Sequence, residues 1–68
     1  MRLEISCQDR LGITQDVLDI LVTHNIDLRG IEIDESGKIF LNFPNIKFED
    51  FQHLMPKIRR IEGIEDVK

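Results

Sequence analysis

Cysteine is nearly absent from this chain, cationic side chains are outnumbered, and no apolar run is long. The 68 residues hold one cysteine, Cys7. A single thiol excludes an internal disulfide and any CxxC redox or metal pair, and it accords with a reducing compartment. No apolar stretch approaches the roughly 20 residues that cross a bilayer. No charged-then-apolar leader opens the sequence either, so the expectation is a soluble, cytoplasmic chain with no membrane partner. Nine lysines and arginines face thirteen carboxylates, for a formal charge of −4. That balance disfavours a phosphate-neutralising nucleic-acid surface. The only basic cluster, Lys57, Arg59 and Arg60, is followed at once by Glu62, Glu65 and Asp66. It reads as a helix end with cations near its negative pole.

Catalytic sets are missing as well. Ser6 and Ser36 fall in a strand and a turn with no histidine expected beside them, and His24 and His53 stand singly on two helices, at no metal-ligand spacing. The expectation is no enzyme, no metal and no cofactor. A small acylphosphatase would share the topology derived below, but its glycine-rich, arginine-bearing anion loop is not here.

What is present is periodicity. Residues 2–8 alternate, with Leu3, Ile5 and Cys7 on one face, which predicts a half-buried strand. From Ile13 to His24 the apolar positions Ile13, Val17, Leu18, Leu21 and Val22 change to helical spacing. Asn25 follows as the residue best suited, after glycine, to a left-handed helix end. A second strand is expected over Ile26–Asp34. Its apolar parity slips at Gly30, which calls either for a bulge or for apolar residues on both faces, one face then covered by another subunit. Glu35-Ser36-Gly37 makes a turn into a third strand, Lys38–Phe43, with Ile39, Leu41 and Phe43 inward and Phe40 on the opposite side. A second helix is expected over Phe48–Ile61, kinked or split at Pro56 and ended by Gly63. Ile64–Lys68 would be the fourth strand.

The order β-α-β-β-α-β places two amphipathic helices on one face of a four-stranded antiparallel sheet, an α+β ferredoxin-like sandwich. The right-handed crossover rule puts strands 1 and 3 in the middle, order 4-1-3-2. Residues 1–68 are expected to form a single domain, and the last strand ends at Lys68 as if cut from something longer.

Two functional readings follow from the residues. The RNA-recognition motif has this topology, and "SGKIFLNF" echoes its third-strand signature, with Phe40 as a stacking platform. The first strand supplies no aromatic partner, however, and an interface role for Phe40 is favoured. The other reading concerns "CQDRLGIT". The first amides of the helix after Gly12 attract anions, and Gly12 lets a group approach the backbone closely. A ligand carboxylate on those amides, with Asp27 holding its ammonium, would recognise a free amino acid. Equally, Asp9 caps the turn, Gly12 permits it, and Asp27 is a polar residue at a strand end.

The run "DRLGITQDVLDILVTHNIDLRGIEI" resembles the ACT domain, a ligand-binding regulatory module. Asp9, Gly12 and Ile13 fit its Asp-x-x-Gly-φ loop. Asn25-Ile26-Asp27-Leu28 falls on its Gly-φ-Asn-φ entry to strand 2, with aspartate in place of the asparagine. Together with "GKIFLNF" and "IRRIEGIEDV", these runs are similar to the ACT domains of bacterial transcriptional regulators that respond to aromatic amino acids. The resemblance implies a regulatory and dimerisation domain, a homodimer, and tyrosine, phenylalanine or tryptophan as effector. The ligand residues it implies are Asp9, Leu11, Gly12, Ile13 and Asp27, with Ile31, Ile33 and Phe40 as interface. It further implies PAS-like, AAA-type and C-terminal helix-turn-helix domains outside these residues, with DNA bound only by the last. A pure dimerisation module is the alternative.

Overall fold

The computed structural model describes residues 1–8 and 10–68. Its elements are β1 (Arg2–Cys7), α1 (Ile13–Thr23), β2 (Gly30–Ile33), β3 (Ile39–Asn42), α2 (Phe48–Arg59) and β4 (Ile64–Val67). The four strands form one antiparallel sheet in the order β2-β3-β1-β4, so β1 and β3 are central, as the crossover rule requires.

Leu3 opposite Leu41, and Ile5 opposite both Ile39 and Val67, share one face of the sheet and are all fully or almost fully buried. Ile13, Val17 and Leu21 of α1 and Leu54 and Ile58 of α2, with Phe43 just past β3, complete that core. The four-residue spacing within each helix puts each set on a single helical stripe. Both helices therefore lie on one side, in the ferredoxin-like arrangement.

The end of α1 follows the expected chemistry. Asn25 adopts φ 56°, in the left-handed region. The Ile26 amide donates to the Leu21 carbonyl at 2.9 Å and the Asn25 amide to Val22 at 3.0 Å, the paired bonds of a Schellman cap. Ile26, just past the cap, packs on the core.

Two expectations are corrected. The second strand does not begin at Ile26. Ile26 and Leu28 precede it, each packed on the core from the loop that follows the left-handed Asn25. The parity slip at Gly30 is, by contrast, met as expected. Pairing with β3 starts at Gly30–Asn42, and the Arg29 amide also donates to the Asn42 carbonyl at 2.7 Å. Two residues thus face one, as in a bulge, and Leu28 stays on the core side with Ile31. Finally, α2 continues through Pro56 as one helix to Arg59, and Gly63 (φ 96°) instead shapes the turn before β4. Pro56 and Gln52 are both exposed, so the proline removes the helical donor of the Gln52 carbonyl on the solvent side of the helix.

The β2–β3 turn is organised by Asp34. Its Oδ1 accepts from the Ser36 hydroxyl at 2.7 Å and from the amides of Ser36 and Lys38 at 2.9 Å each. The Ser36 hydroxyl chiefly, then the two amides and the Lys38 charge, hold the Asp34 carboxyl below its ordinary range against an opposing loss of solvation. A depressed folded-state value stabilises the fold above the unfolded value, near about 3.9. That contribution disappears as pH falls through the folded value. Ser36→Ala is expected to raise the Asp34 carboxyl toward its ordinary value in an NMR titration, and Asp34→Asn to remove this part of the acid-unfolding limb. An unchanged titration in Ser36→Ala would refute the assignment.

Candidate functional site

The turn between β1 and α1 is built on Gly12 at φ 85°, ψ 0°, a conformation that a side chain resists. Gly12 directly precedes the helix, and its carbonyl accepts from the Asp16 amide at 2.9 Å. Ile13 follows into the core. Thr14 and Gln15 are in the first turn, where helical amides lack intrahelical acceptors and the dipole is positive.

In front of this helix end lies an open cleft of about 370 Å³, lined by Cys7, Arg10, Gly12, Ile13, Thr14, Gln15, Leu18, Ile33, Gly37 and Ile39. Its size lies within the roughly 300–1,000 Å³ of small-molecule clefts. Polar groups gather at the loop end, while Leu18, Ile33 and Ile39 make the other wall apolar. Such a wall suits a hydrophobic ligand side chain, and the helix end suits its carboxylate.

Arg10 was not singled out by sequence reasoning, yet it organises the cleft's rim. Its Nε donates to the Glu62 carbonyl at 2.8 Å, Nη1 to the Leu11 carbonyl at 3.2 Å, and Nη2 to Asp16 Oδ2 at 2.7 Å. One guanidinium thus ties the loop to the first turn of α1 and to the turn before β4. The Gln8 amide adds a bond to the Gly63 carbonyl at 2.8 Å. Arginine's planar fork makes such three-way bridging possible where lysine's single ammonium does not. Only the Arg-x-x-x-x-x-Asp spacing hints at part of this, since Glu62 is 52 residues away.

The proposed ligand residues divide. Gly12 and Ile13 line the cleft. Leu11 is fully exposed beside it, and Asp9 lies outside the described residues. Asp27 sits past the other end of α1, in a separate hollow with Val22, Asn25 and Ile26, and its Oδ1 accepts from the Leu28 amide at 3.1 Å. An 11-residue helix of about 16 Å separates it from Gly12. Within one chain, therefore, Gly12 and Asp27 do not meet.

The proposed interface residues divide as well. Ile31 and Ile33 stand on the helix side, opposite buried Leu41 and Ile39, but at the sheet edge they remain 37% and 57% exposed. Phe40 is on the open side of central strand β3, half-buried, with the Arg2 guanidinium 4.4 Å from its ring centre. Glu4 and Glu32 are its cross-strand neighbours, an acidic setting for a base-stacking platform.

A family model, the ACT domain, matches residues 1–63. The chain belongs to the ACT domain family. Over all 68 residues this ACT domain is 59% identical to the HTH-type transcriptional regulatory protein TyrR of Salmonella typhimurium and 57% identical to that of Citrobacter braakii. The match takes in the whole chain but spans about 13% of the length of those curated relatives. Among solved structures, the crystal structure of the ACT domain from a GTP pyrophosphokinase of Chlorobium tepidum superposes with a TM-score of 0.77. At 21% identity, covering 98% of this chain and 91% of that one, it supports the fold. Among the described residues, no helix is long and apolar enough to cross a membrane.

Proposed function

We propose that this ACT domain is the regulatory and dimerisation module of a TyrR-like cytoplasmic transcriptional regulator, and that an aromatic amino acid is its effector. DNA binding belongs to parts of such a regulator beyond these 68 residues. The observation that carries the reading is the cleft at the positive end of α1, polar at the loop and apolar along Leu18, Ile33 and Ile39. The ligand carboxylate sits on the first-turn amides after Gly12, and its ring lies along the apolar wall.

Separation of Asp27 from Gly12 within one chain gives the dimer its role. Ile33, at the end of β2, lines the cleft, and Asp27 lies just before the start of β2. Antiparallel pairing of β2 with its copy sets the start of one strand beside the end of the other. Asp27 of the partner subunit then comes to the cleft and holds the ligand ammonium. Ligand bound across the two subunits favours the dimer by its differential affinity for that state.

The test is an NMR titration of this chain with tyrosine, phenylalanine and tryptophan, with sedimentation run alongside. Shifts at Gly12, Ile13 and Asp27 and a ligand-strengthened dimer are expected. Asp27→Ala should weaken binding at least tenfold while leaving the fold intact. Absence of shifts up to millimolar ligand would sink the effector site; a dimer without shifts would leave a pure dimerisation module.

A further inference from the structure

Neither backbone angle nor packing within its own chain requires glycine at position 30. Its φ is not in the left-handed region, and a Cβ placed on it would meet nothing within 4 Å. Glycine in a strand weakens it and often marks the close approach of another group. Around it lies an open cleft of about 520 Å³ that includes Arg2, Arg29, Glu32 and Asn42.

The hydrogen-bond phase of β2 says which of its groups face outward. The Phe43 amide donates to the Met1 carbonyl at 2.8 Å, and the Asp34 amide to Lys38 at 3.0 Å. Alternation then directs Asn42 and Phe40 of β3 toward β2, bonded to Gly30 and Glu32. The amides and carbonyls of Ile31 and Ile33 point off the sheet edge. A second copy pairing there must oppose these residues in one of three two-fold registers. Centring between Ile31 and Ile33 sets the two Glu32 side chains directly opposite each other, in the closer kind of cross-strand pair, where like charges repel. A register centred on Ile33 sets Glu32 against the partner's Asp34. Centring on Ile31 sets Glu32 over the partner's Gly30.

We propose that two copies of this chain pair through β2 with Ile31 opposite Ile31, each Glu32 seated in the Gly30 cleft of the other. Arg2, Asn42 and Gly30 form one cross-strand row on the open face, and the incoming Glu32 is the next member of that row. Arg2 receives it. Its bond to its own Glu32 is long, 3.6 Å, with both side chains more than half exposed, so the guanidinium has donors to give. This register rests on the dimer proposed above and adds its lock: a glycine hole, an acid that fills it and an arginine that holds the acid.

Cysteine substitution tests the register in a Cys7→Ser background. Ile31→Cys brings two Cα atoms to about 5.5 Å, within disulfide range, and should give a covalent dimer on mild oxidation. Glu32→Cys should not, because the two positions are then offset by two residues. Gly30→Val fits the monomer, so its melting should stay close to wild type at concentrations where both are monomeric, while dimer dissociation rises at least tenfold. Arg2→Glu and Glu32→Arg should each weaken the dimer, and the double variant should recover it. Crosslinking through position 32 in place of 31, or unchanged dimerisation of Gly30→Val, overturns the register and leaves the dimer standing. A chain that stays monomeric at millimolar concentration, with or without ligand, overturns both.

Discussion

Gly63→Val should leave the domain barely folded, whereas Gly12→Val should remain folded with a lowered melting temperature. Both glycines have positive φ, 96° and 85°, so each substitution carries a left-handed strain of about 1–2 kcal/mol, more for a β-branched residue. Their surroundings differ. A Cβ on Gly12 has Arg10 Nη1 as its nearest neighbour at 4.0 Å, which is ordinary contact. A Cβ on Gly63 lies 3.0 Å from Ile13 Cδ1 and 3.2 Å from Arg10 Nε. Ile13 is a core residue and Arg10 is held by three hydrogen bonds, so neither gives way cheaply. Overpacking adds about 1–3 kcal/mol, for a total of roughly 2–5 kcal/mol. A 68-residue domain has on the order of 3–10 kcal/mol to lose. Thermal melts of the two variants check this, and a Gly63→Val melt equal to that of Gly12→Val would show that the contact has no energetic weight.

The same pair of residues shows what sequence patterns reach. Gly12 was legible because its neighbours changed period from two to 3.6 across it, and a junction of that kind needs a turn. The left-handed Asn25 was legible for the same reason at the other end of α1. Gly63 was read as a helix terminator, its commonest use, because nothing in "RRIEGIEDV" reveals that Ile13 and Arg10 lie against it. The limit is physical. Periodicity reports which face of an element is buried, and turn residues report local backbone, but neither reports which distant loop is covered. Strand 2 failed at its start because Ile26 and Leu28 alternate like strand residues while packing from a loop. Asp27 failed differently. Its polarity was legible, but its distance from Gly12 is set by the length and direction of α1, and a site shared between subunits joins residues that no single chain brings together.

Arg10→Ala is the prediction that separates stability from ligand recognition. Arg10 forms three hydrogen bonds, two of them to carbonyls and one to the Asp16 carboxylate. Bonds involving a charged group contribute about 1.5–3 kcal/mol each when buried, but this side chain is 31% exposed, and solvent screening lowers that sum. A loss of about 1–3 kcal/mol is expected, roughly 5–20 °C in melting temperature for a domain of this size. The ligand effect should exceed what that destabilisation accounts for. Without the guanidinium, the bonds that join the Leu11 carbonyl and the first turn of α1 to the Glu62 turn are lost, so the amides after Gly12 lose their fixed aim into the cleft. Preorganised amides bind an anion without a reorganisation cost, and mobile ones do not. The Arg10→Lys variant keeps the charge beside Asp16 but cannot span three acceptors. It should therefore retain more of the stability than of the affinity. Melting and NMR titration with the same aromatic amino acid, measured on wild type, Arg10→Lys and Arg10→Ala, give the two scales. If affinity falls only in proportion to the fraction unfolded, Arg10 is a structural tie and the loop's aim comes from Gly12 alone. If affinity falls at least tenfold in Arg10→Lys at temperatures where the variant is fully folded, the guanidinium holds the recognition loop in its binding geometry.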